Sequence, residues 1–122
     1  MGKFVVKETA SGVKFNLVAG NGQVIATSEV YSAEASCLKG IESVKKNAPI
    51  ANLEDQTEET VVTATNPKFE IYKDKAGEFR FRLKARNGEI IATSEGYTSK
   101  SGCENGIESV RKNAPDAEIT NA

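Results

Sequence analysis

The sequence predicts an α+β fold built from two tandem β-β-β-α-β repeats. Internal repetition is the first observation, because residues 21–31 return as residues 87–97 and residues 40–49 return as residues 106–115. About 25 of 54 aligned positions are identical between the copies at an offset of 65 or 66 residues, far beyond chance. The second observation is a change of hydrophobic period within each copy, from the alternation typical of strands to the spacing typical of a helix.

The repetition divides the 122 residues into three parts. Repeat 1 is residues 1–54, repeat 2 is residues 68–122, and the linker between them is residues 55–67. Each repeat has a net charge of +1, and the three acids of the linker, which has no base, bring the chain to −1. We interpret the linker as an extended, solvated tether. Because a unit of about 55 residues is marginal as an independent domain, we expect the two repeats to share one core.

The first two strands of repeat 2 are predicted at residues 69–73 and 79–86, where apolar and polar side chains alternate. The pair Asn87-Gly88 follows, and Asn-Gly is preferred in a type I′ turn because both central residues need positive φ. This turn leads into a third strand at residues 89–95, and the pair Asn21-Gly22 predicts the same hairpin in repeat 1.

A helix follows the third strand of each repeat. Ser32 in repeat 1 or Thr98 in repeat 2 can cap its first turn, and an Asn-Ala-Pro sequence ends it, because proline cannot continue a helix. The buried side of the helix is a narrow apolar stripe. In repeat 1 this stripe consists of Cys37, Ile41, Val44 and Ala48. A short last strand is predicted at residues 51–54 and 117–120.

The register of the hairpin in repeat 2 assigns side chains to the two faces of the sheet. With Asn87 and Gly88 as a two-residue loop, Arg86 is expected opposite Glu89 and Arg80 opposite Glu95. The other face, expected beneath the helices, holds Phe81, Leu83, Ala85, Ile90 and Ala92.

One candidate binding surface is a row of four bases in repeat 2. The row consists of Arg80, Arg82, Lys84 and Arg86, with Tyr72 and Tyr97 as stacking rings on the same face. Bases interleaved with aromatic rings are typical of single-stranded nucleic-acid binding. However, two of the bases face glutamates, and repeat 1 carries Lys14, Asn16, Val18 and Gly20 instead. A solvated face whose charges balance is therefore the favoured interpretation.

A second candidate is a row that both repeats share. It consists of Ile25, Thr27, Glu29 and Tyr31 in repeat 1 and of Ile91, Thr93, Glu95 and Tyr97 in repeat 2. On an open sheet such a row could hold a peptide or small ligand at two pseudo-equivalent sites. The alternative, which we favour, is that hairpin pairing and the entry into the helix require these residues.

Cys37 and Cys103 occupy equivalent positions on the helix stripe, and we expect buried core thiols, with a redox role as the alternative. Gly40 and Gly106 lie inside the helices, where glycine costs about 1 kcal/mol relative to alanine. Its recurrence in both repeats predicts the close approach of another backbone, with helix against helix at the contact between the repeats.

Composition argues against most catalytic chemistry. The chain has no histidine, which removes the usual general base and the commonest metal ligand. It contains no nucleophile elbow, phosphate-binding loop or metal-ligand spacing, so we predict no catalytic, cofactor-binding or metal-binding residues. It has neither a signal-peptide pattern nor an apolar stretch of about 20 residues, and we expect a cytoplasmic protein that does not contact membranes.

Two motifs, each present in both repeats, resemble the YegP-like family of small bacterial proteins. In repeat 2 they read NGEIIATSEGYT at residues 87–98 and GIESVRKNA at residues 106–114. The resemblance implies one antiparallel sheet made by both repeats, with the C-terminal strands exchanged between them and the helices on one face. It also implies a monomer with internal pseudo-twofold symmetry. Because the family has no known function, the resemblance assigns no site residue.

These observations favour a non-catalytic binding or interaction protein whose partner is a protein or a small ligand. A weak nucleic-acid binder that uses the basic row of repeat 2 is the alternative, and an enzyme is the third class.

Overall fold

The computed structural model describes residues 2–122, and each repeat has the predicted order of elements. Repeat 1 contains β1 (Lys3–Thr9), β2 (Gly12–Val18), β3 (Val24–Thr27), α1 (Glu34–Asn47), a 3₁₀ turn (Ala48–Ile50) and β4 (Asn52–Asp55). Repeat 2 contains β5 (Lys68–Lys73), β6 (Phe79–Lys84), β7 (Ile90–Thr93), α2 (Lys100–Asn113) and β8 (Glu118–Asn121). Neither helix is long and apolar enough to cross a membrane, a finding that covers residues 2–122.

All eight strands form one sheet in the order β4-β5-β6-β7-β3-β2-β1-β8. The exchange of C-terminal strands is confirmed, because β4 of repeat 1 pairs with β5 of repeat 2 and β8 pairs with β1. Both of these outer pairs are parallel, so the sheet is mixed and not wholly antiparallel as predicted. Neighbouring parallel strands need a connection of about a dozen residues or more. The linker provides one between β4 and β5.

The turn between β6 and β7 differs from the predicted type I′ turn. The Gly88 N–H donates to Ala85 O at 2.9 Å and the Ala85 N–H donates to Glu89 O, which closes a three-residue loop. Gly88 alone has positive φ, at 85°, while Asn87 accepts the Glu89 N–H through its side chain at 3.0 Å. This geometry is that of a type I turn followed by a glycine bulge.

The bulge changes the register at the end of the hairpin. Lys84 pairs with Ile90, and the register shifts between Leu83 and Lys84. As a result Ile90 lies on the open face with 42% of its surface exposed, whereas Ile91 is buried. The prediction that Ile90 lies beneath the helices is therefore wrong, because the loop has three residues and not the two of a type I′ turn.

The helices begin one residue later than predicted and end as predicted. Ser99, not Thr98, caps α2, and its Oγ accepts the Gly102 N–H at 3.1 Å. Ala33 takes that place in α1, where no side chain caps the helix. The predicted stripe is confirmed, since Cys37, Ile41, Val44 and Ala48 are all fully buried.

The core lies between the helices and one face of the sheet. Phenylalanine rings meet edge to face in equivalent places, Phe4 against Phe15 at 5.6 Å and Phe69 against Phe81 at 5.8 Å between centroids. Helix α1 contacts β2 of its own repeat and β7 of the other, while α2 contacts β6 and β3. The repeats therefore share one core, as expected for units too small to fold alone.

Gly40 and Gly106 make room for tyrosine rings and not for another helix. A Cβ atom at Gly106 would lie 2.9 Å from Tyr97 Cζ and 3.1 Å from Phe81 Cε2, and closer still to Tyr97 Oη. Tyr31 has the same relation to Gly40 in repeat 1. The expected contact of two helix backbones is therefore wrong, because an aromatic ring fills the space that each glycine leaves.

Candidate functional site

The open face of the sheet, opposite the helices, has different chemistry in its two halves. In repeat 2 it carries three members of the predicted basic row, and each is paired with an acid. Arg80 Nε lies 2.6 Å from Asp74 Oδ2, Arg82 pairs with Glu70, and Lys84 Nζ lies 3.2 Å from Glu70 Oε2. The predicted partner Glu95 does not bind Arg80, because Asp74 in the preceding turn is within reach and also accepts two backbone N–H groups of that turn.

Glu70 is the acid on which this half of the face depends, although it is only 2% exposed. Burial by itself raises the pKa of a carboxyl group, but hydrogen bonds from Arg82, Lys84 and Lys68 outweigh that effect and keep the pKa of Glu70 below its ordinary value. Glu70 therefore stays ionised and neutralises the bases around it.

Glu54 and Lys68 continue this cluster toward the edge of the sheet. Lys68 Nζ lies 2.7 Å from Glu54 Oε1, and the two residues are only 7% and 4% exposed. The Gln56 amide donates to Glu54 Oε2 at 2.7 Å, and the Ala64 N–H donates to Oε1 at 2.8 Å. These hydrogen bonds, first that of Gln56 and then that of Lys68, lower the pKa of Glu54 to about 2.

The linker lies over this edge of the open face. Ala64 O accepts from Lys68 Nζ at 3.2 Å, and Thr65 O accepts from Asn52 Nδ2 at 2.9 Å. At its other end Lys100 Nζ binds Asp55 and Glu58 at 2.8 and 3.1 Å. Only its middle, residues 58–63, is exposed throughout. The linker is thus a solvated tether in the middle and a bound segment at both ends.

The predicted aromatic partners of the basic row lie in different places. Tyr72 is on the open face, but the Arg82 guanidinium lies over its ring at 4.5 Å. Tyr97 lies on the helix side of the sheet, stacked on Phe81 at 6.4 Å, and burial raises the pKa of its hydroxyl. Tyr31 is held in the same way in repeat 1. The rings and bases therefore do not lie together as the nucleic-acid alternative expects.

The shared row also fails to form one surface. Ile25 and Ile91 are buried and Glu29 is exposed, while Glu95 is an exposed residue in the wall of a cavity of about 220 Å³ that Arg80 also lines. Bulges beside the third strands break the alternation that would place the row on one face. Arg86, the last base of the predicted row, is exposed in the β6–β7 turn.

The half of the open face in repeat 1 was missed by sequence reasoning. Lys7 lies directly opposite Lys14 in the antiparallel pair β1–β2, and Lys3 lies opposite Val18. Within residues 2–122, none of these three lysines makes an ion pair. The signal was available, because the alternation of residues 3–7 and 14–18 already places these side chains on one face.

Comparison with repeat 2 shows why the charge of these lysines is unbalanced. Tyr72 and Arg80 occupy the positions that correspond to Lys7 and Lys14, and Asp74 binds Arg80. The residue of repeat 1 that corresponds to Asp74 is Thr9, which has no charge. Two lysines directly opposite each other on a sheet repel. An anion between them would remove this repulsion.

Apolar side chains separate these lysines. Val5 and Val18 are half-buried, and Val24, which pairs with Val18, is 41% exposed. Glu118 is an acid on this half, in register with Lys3 on the neighbouring strand. The result is an apolar strip with two lysines at one end and Lys3 at the other, which we call the repeat 1 face.

Neither the cavity at the end of β1 nor the acidic side chains that the structure describes provide a second candidate site. The cavity of about 590 Å³ at the end of β1 is lined by one base, Lys7, and two acids, Glu8 and Glu34, so it does not favour an anion. Within residues 2–122, no three Cys, Asp or Glu side chains group closely enough to hold a metal ion.

The two cysteines are free and fully buried, as expected of core residues. Burial, followed by the nearby carboxylates Glu104 and Asp55, raises the pKa of the Cys103 thiol to about 11. Burial likewise raises the pKa of Cys37. Because the thiolate is the reactive form, neither residue is prepared for nucleophilic chemistry.

Comparisons with known proteins find one family that matches both repeats, and relatives that match either the whole chain or about one repeat. The family described as "Domain of unknown function (DUF1508)" matches residues 9–55 and 74–120. A UPF0339 protein of Pseudomonas aeruginosa is 37% identical over 119 residues, which cover 97% of this chain and 94% of that protein. A UPF0339 protein of Treponema denticola is 73% identical over 52 residues, which are 43% of this chain and 90% of that protein.

Two solved structures share the fold. The solution structure of a UPF0339 protein from Shewanella oneidensis matches with a TM-score of 0.80 and 34% identity, over 98% of this chain and 90% of that one. That of yegP, a protein of unknown function from E. coli, matches with a TM-score of 0.79 and 34% identity, over 98% and 91% of the two chains.

Proposed function

The chain belongs to the DUF1508 family, of which it carries two copies, and on that premise we propose that it is a non-catalytic binding module whose anionic ligand lies on the repeat 1 face. It is the family that the sequence motifs resemble, and the family has no known function. The observation that carries the proposal is the cross-strand pair of Lys7 and Lys14, which has no acid partner in residues 2–122.

Electrostatics favour this face over the basic row of repeat 2. An anion bound at Lys7 and Lys14 gains attraction from both and removes their mutual repulsion. An anion at Arg80, Arg82 or Lys84 must compete with Asp74 and Glu70, which already bind those bases. The nucleic-acid alternative, which depends on this row, is therefore the weaker candidate.

Two further observations support a binding module over an enzyme. The thiols are buried with raised pKa values. The most buried carboxylates, Glu54 and Glu70, are bound to bases of the same chain. Free thiols also suit a reducing compartment such as the cytoplasm. The exchange of β4 and β8 within one chain supports a monomer with internal pseudo-twofold symmetry.

Fluorescence anisotropy with labelled hexaglutamate at low salt tests the proposal. We expect binding that weakens with added salt, because exposed charges are screened. Lys7→Gln/Lys14→Gln should weaken it about tenfold, a loss of about 1.4 kcal/mol. Lys75→Gln/Arg86→Gln is the matched control, since it removes the same charge from exposed positions of repeat 2. Equal losses in both variants, or no binding by the wild-type protein, would overturn the proposal.

A further inference from the structure

We propose that the ligand of the repeat 1 face is an extended acidic segment of a partner protein. This inference rests on the proposed function, because it names the occupant of the same surface. It starts from pseudo-symmetry: the corresponding half of the open face in repeat 2 already binds the backbone of a segment of the chain, namely the linker at Ala64 and Thr65.

Side chains of repeat 2 and β4 bind the linker through its backbone N–H and C=O groups. Glu54 accepts the Ala64 N–H, Lys68 donates to Ala64 O, and Asn52 donates to Thr65 O. All three side chains come from the outer strands β4 and β5 and lie on the open face. Hydrogen bonds to successive backbone groups suit a peptide in extended conformation, whatever its side chains.

Repeat 1 presents a related set at the corresponding positions of β1 and β8. Lys3 corresponds to Lys68, and its ammonium group can donate a hydrogen bond in the same way. Thr120 and Glu118 correspond to Glu54 and Asn52, and their oxygens can accept backbone N–H groups. Lys3 and Glu118 are exposed and Thr120 is half-buried, so this set is accessible where its counterpart is covered.

The charges of the repeat 1 face indicate an acidic segment. Lys7 lies four residues beyond Lys3 on β1, a distance of about 13 Å along a strand. A peptide whose backbone binds Lys3 therefore brings a side chain four or five residues away to Lys7 and Lys14. In the linker, Glu59 lies five residues before Ala64, and Glu58, which binds Lys100, lies six residues before it.

The same face is poorly suited to a nucleic-acid strand. Single-stranded nucleic acid binds through base stacking on aromatic rings. The aromatic residues of repeat 1 are Phe4 and Phe15, which are in the core, and Tyr31, which lies beneath α1. The center of the face is formed by Val5, Val18 and Val24, which suit β-branched side chains such as Val61 and Val62 of the linker.

A labelled synthetic peptide with the sequence of residues 56–66 is the probe that tests the inference. The tethered linker keeps its own site in repeat 2 filled, because a short tether gives an effective concentration in the millimolar range. We expect the peptide to bind the intact protein at least threefold more tightly than hexaglutamate does. Replacing its glutamates, Glu58→Gln/Glu59→Gln, should weaken binding about tenfold.

The Lys3→Gln variant separates backbone recognition from simple charge attraction. It should weaken binding of the linker-sequence peptide about fivefold and that of hexaglutamate less than twofold. Lys112→Gln, which removes an exposed charge from α2, should change neither. Peptide binding that is insensitive to Lys3→Gln overturns the inference.

The remaining outcomes distinguish this inference from the proposed function. If hexaglutamate binds but the linker-sequence peptide binds no better, the extended segment is refuted while the anion-binding face stands. Tighter binding by an oligothymidylate of the same length also refutes it, in favour of nucleic acid. If none of the three probes binds, both proposals fail.

Discussion

Lys68 Nζ lies 2.7 Å from Glu54 Oε1, and this buried ion pair joins the first strand of repeat 2 to the last strand of repeat 1. Lys68 also lies 3.3 Å from Glu70 Oε2 and donates to Ala64 O, so one ammonium group contacts two strands and the linker. The pair thus holds together three parts of the chain that strand exchange places side by side. Its counterpart in repeat 1 is Lys3, which is exposed.

Lys68→Met should destabilise the protein by about 3–5 kcal/mol, because it leaves Glu54 and Glu70 buried with fewer partners. Lys3→Met is the matched control at the exposed counterpart and should change the free energy of unfolding by less than about 0.5 kcal/mol. Urea denaturation of both variants measures the difference. Similar effects at the two positions would show that Lys68 does not organise the cluster.

Stability should fall in acid, partly through Glu54. Its pKa in the folded protein is about 2, below the ordinary value of 4.5. Its contribution is therefore present above pH 4.5 and is lost as the pH falls toward 2. The difference in unfolding free energy between wild type and Glu54→Gln should narrow over this range, as measured by urea denaturation at each pH. Parallel pH profiles for the two proteins would contradict the assignment.

Gly106→Ala should destabilise the protein by about 1–3 kcal/mol through overpacking, although alanine favours a helix. The added methyl group meets the ring and hydroxyl of Tyr97. Tyr97→Phe removes the nearest of these atoms, so the double variant should recover part of the loss in a double-mutant cycle of thermal unfolding. A gain of stability in Gly106→Ala alone would show that the close contact is absent.

Cys37 and Cys103 should resist alkylation in the folded protein. Both thiols are fully buried, and the pKa of Cys103 is raised to about 11. Mass spectrometry after iodoacetamide treatment at pH 8 should find unmodified native protein and two modifications after unfolding in urea. Rapid modification of the native protein, or a disulfide, would refute the core assignment.

The sequence was sufficient to predict the element order, because two copies of one pattern reinforce each other. It could not show the three-residue turn at Asn87, since an Asn-Gly pair fits both a type I′ turn and a type I turn with a bulge. The additional loop residue shifts the register of the hairpin and places Ile90 on the open face. The parallel pairing of the outer strands forms between the two repeats, and no local pattern within either repeat records its direction.

The candidate site was predicted less well, for a related reason. Arg82 and Lys84 had no predicted acid partner because Glu70 was not assigned to the same face, and Arg80 was paired with Glu95 and not with Asp74. Tyr97 looked exposed because the space left by Gly106 cannot be read from the sequence. The lysine pair of repeat 1 was predictable from strand alternation, because Lys7 and Lys14 alternate with core residues on β1 and β2.

Amide-resolved NMR of the labelled protein during titration with the linker-sequence peptide tests the central claim most directly, since it locates the ligand. We predict shift changes concentrated in β1 and β2, from Lys3 to Thr9 and from Gly12 to Val18. Changes concentrated in β5 and β6, or none at saturating peptide, would contradict the claim that the repeat 1 face is the binding surface.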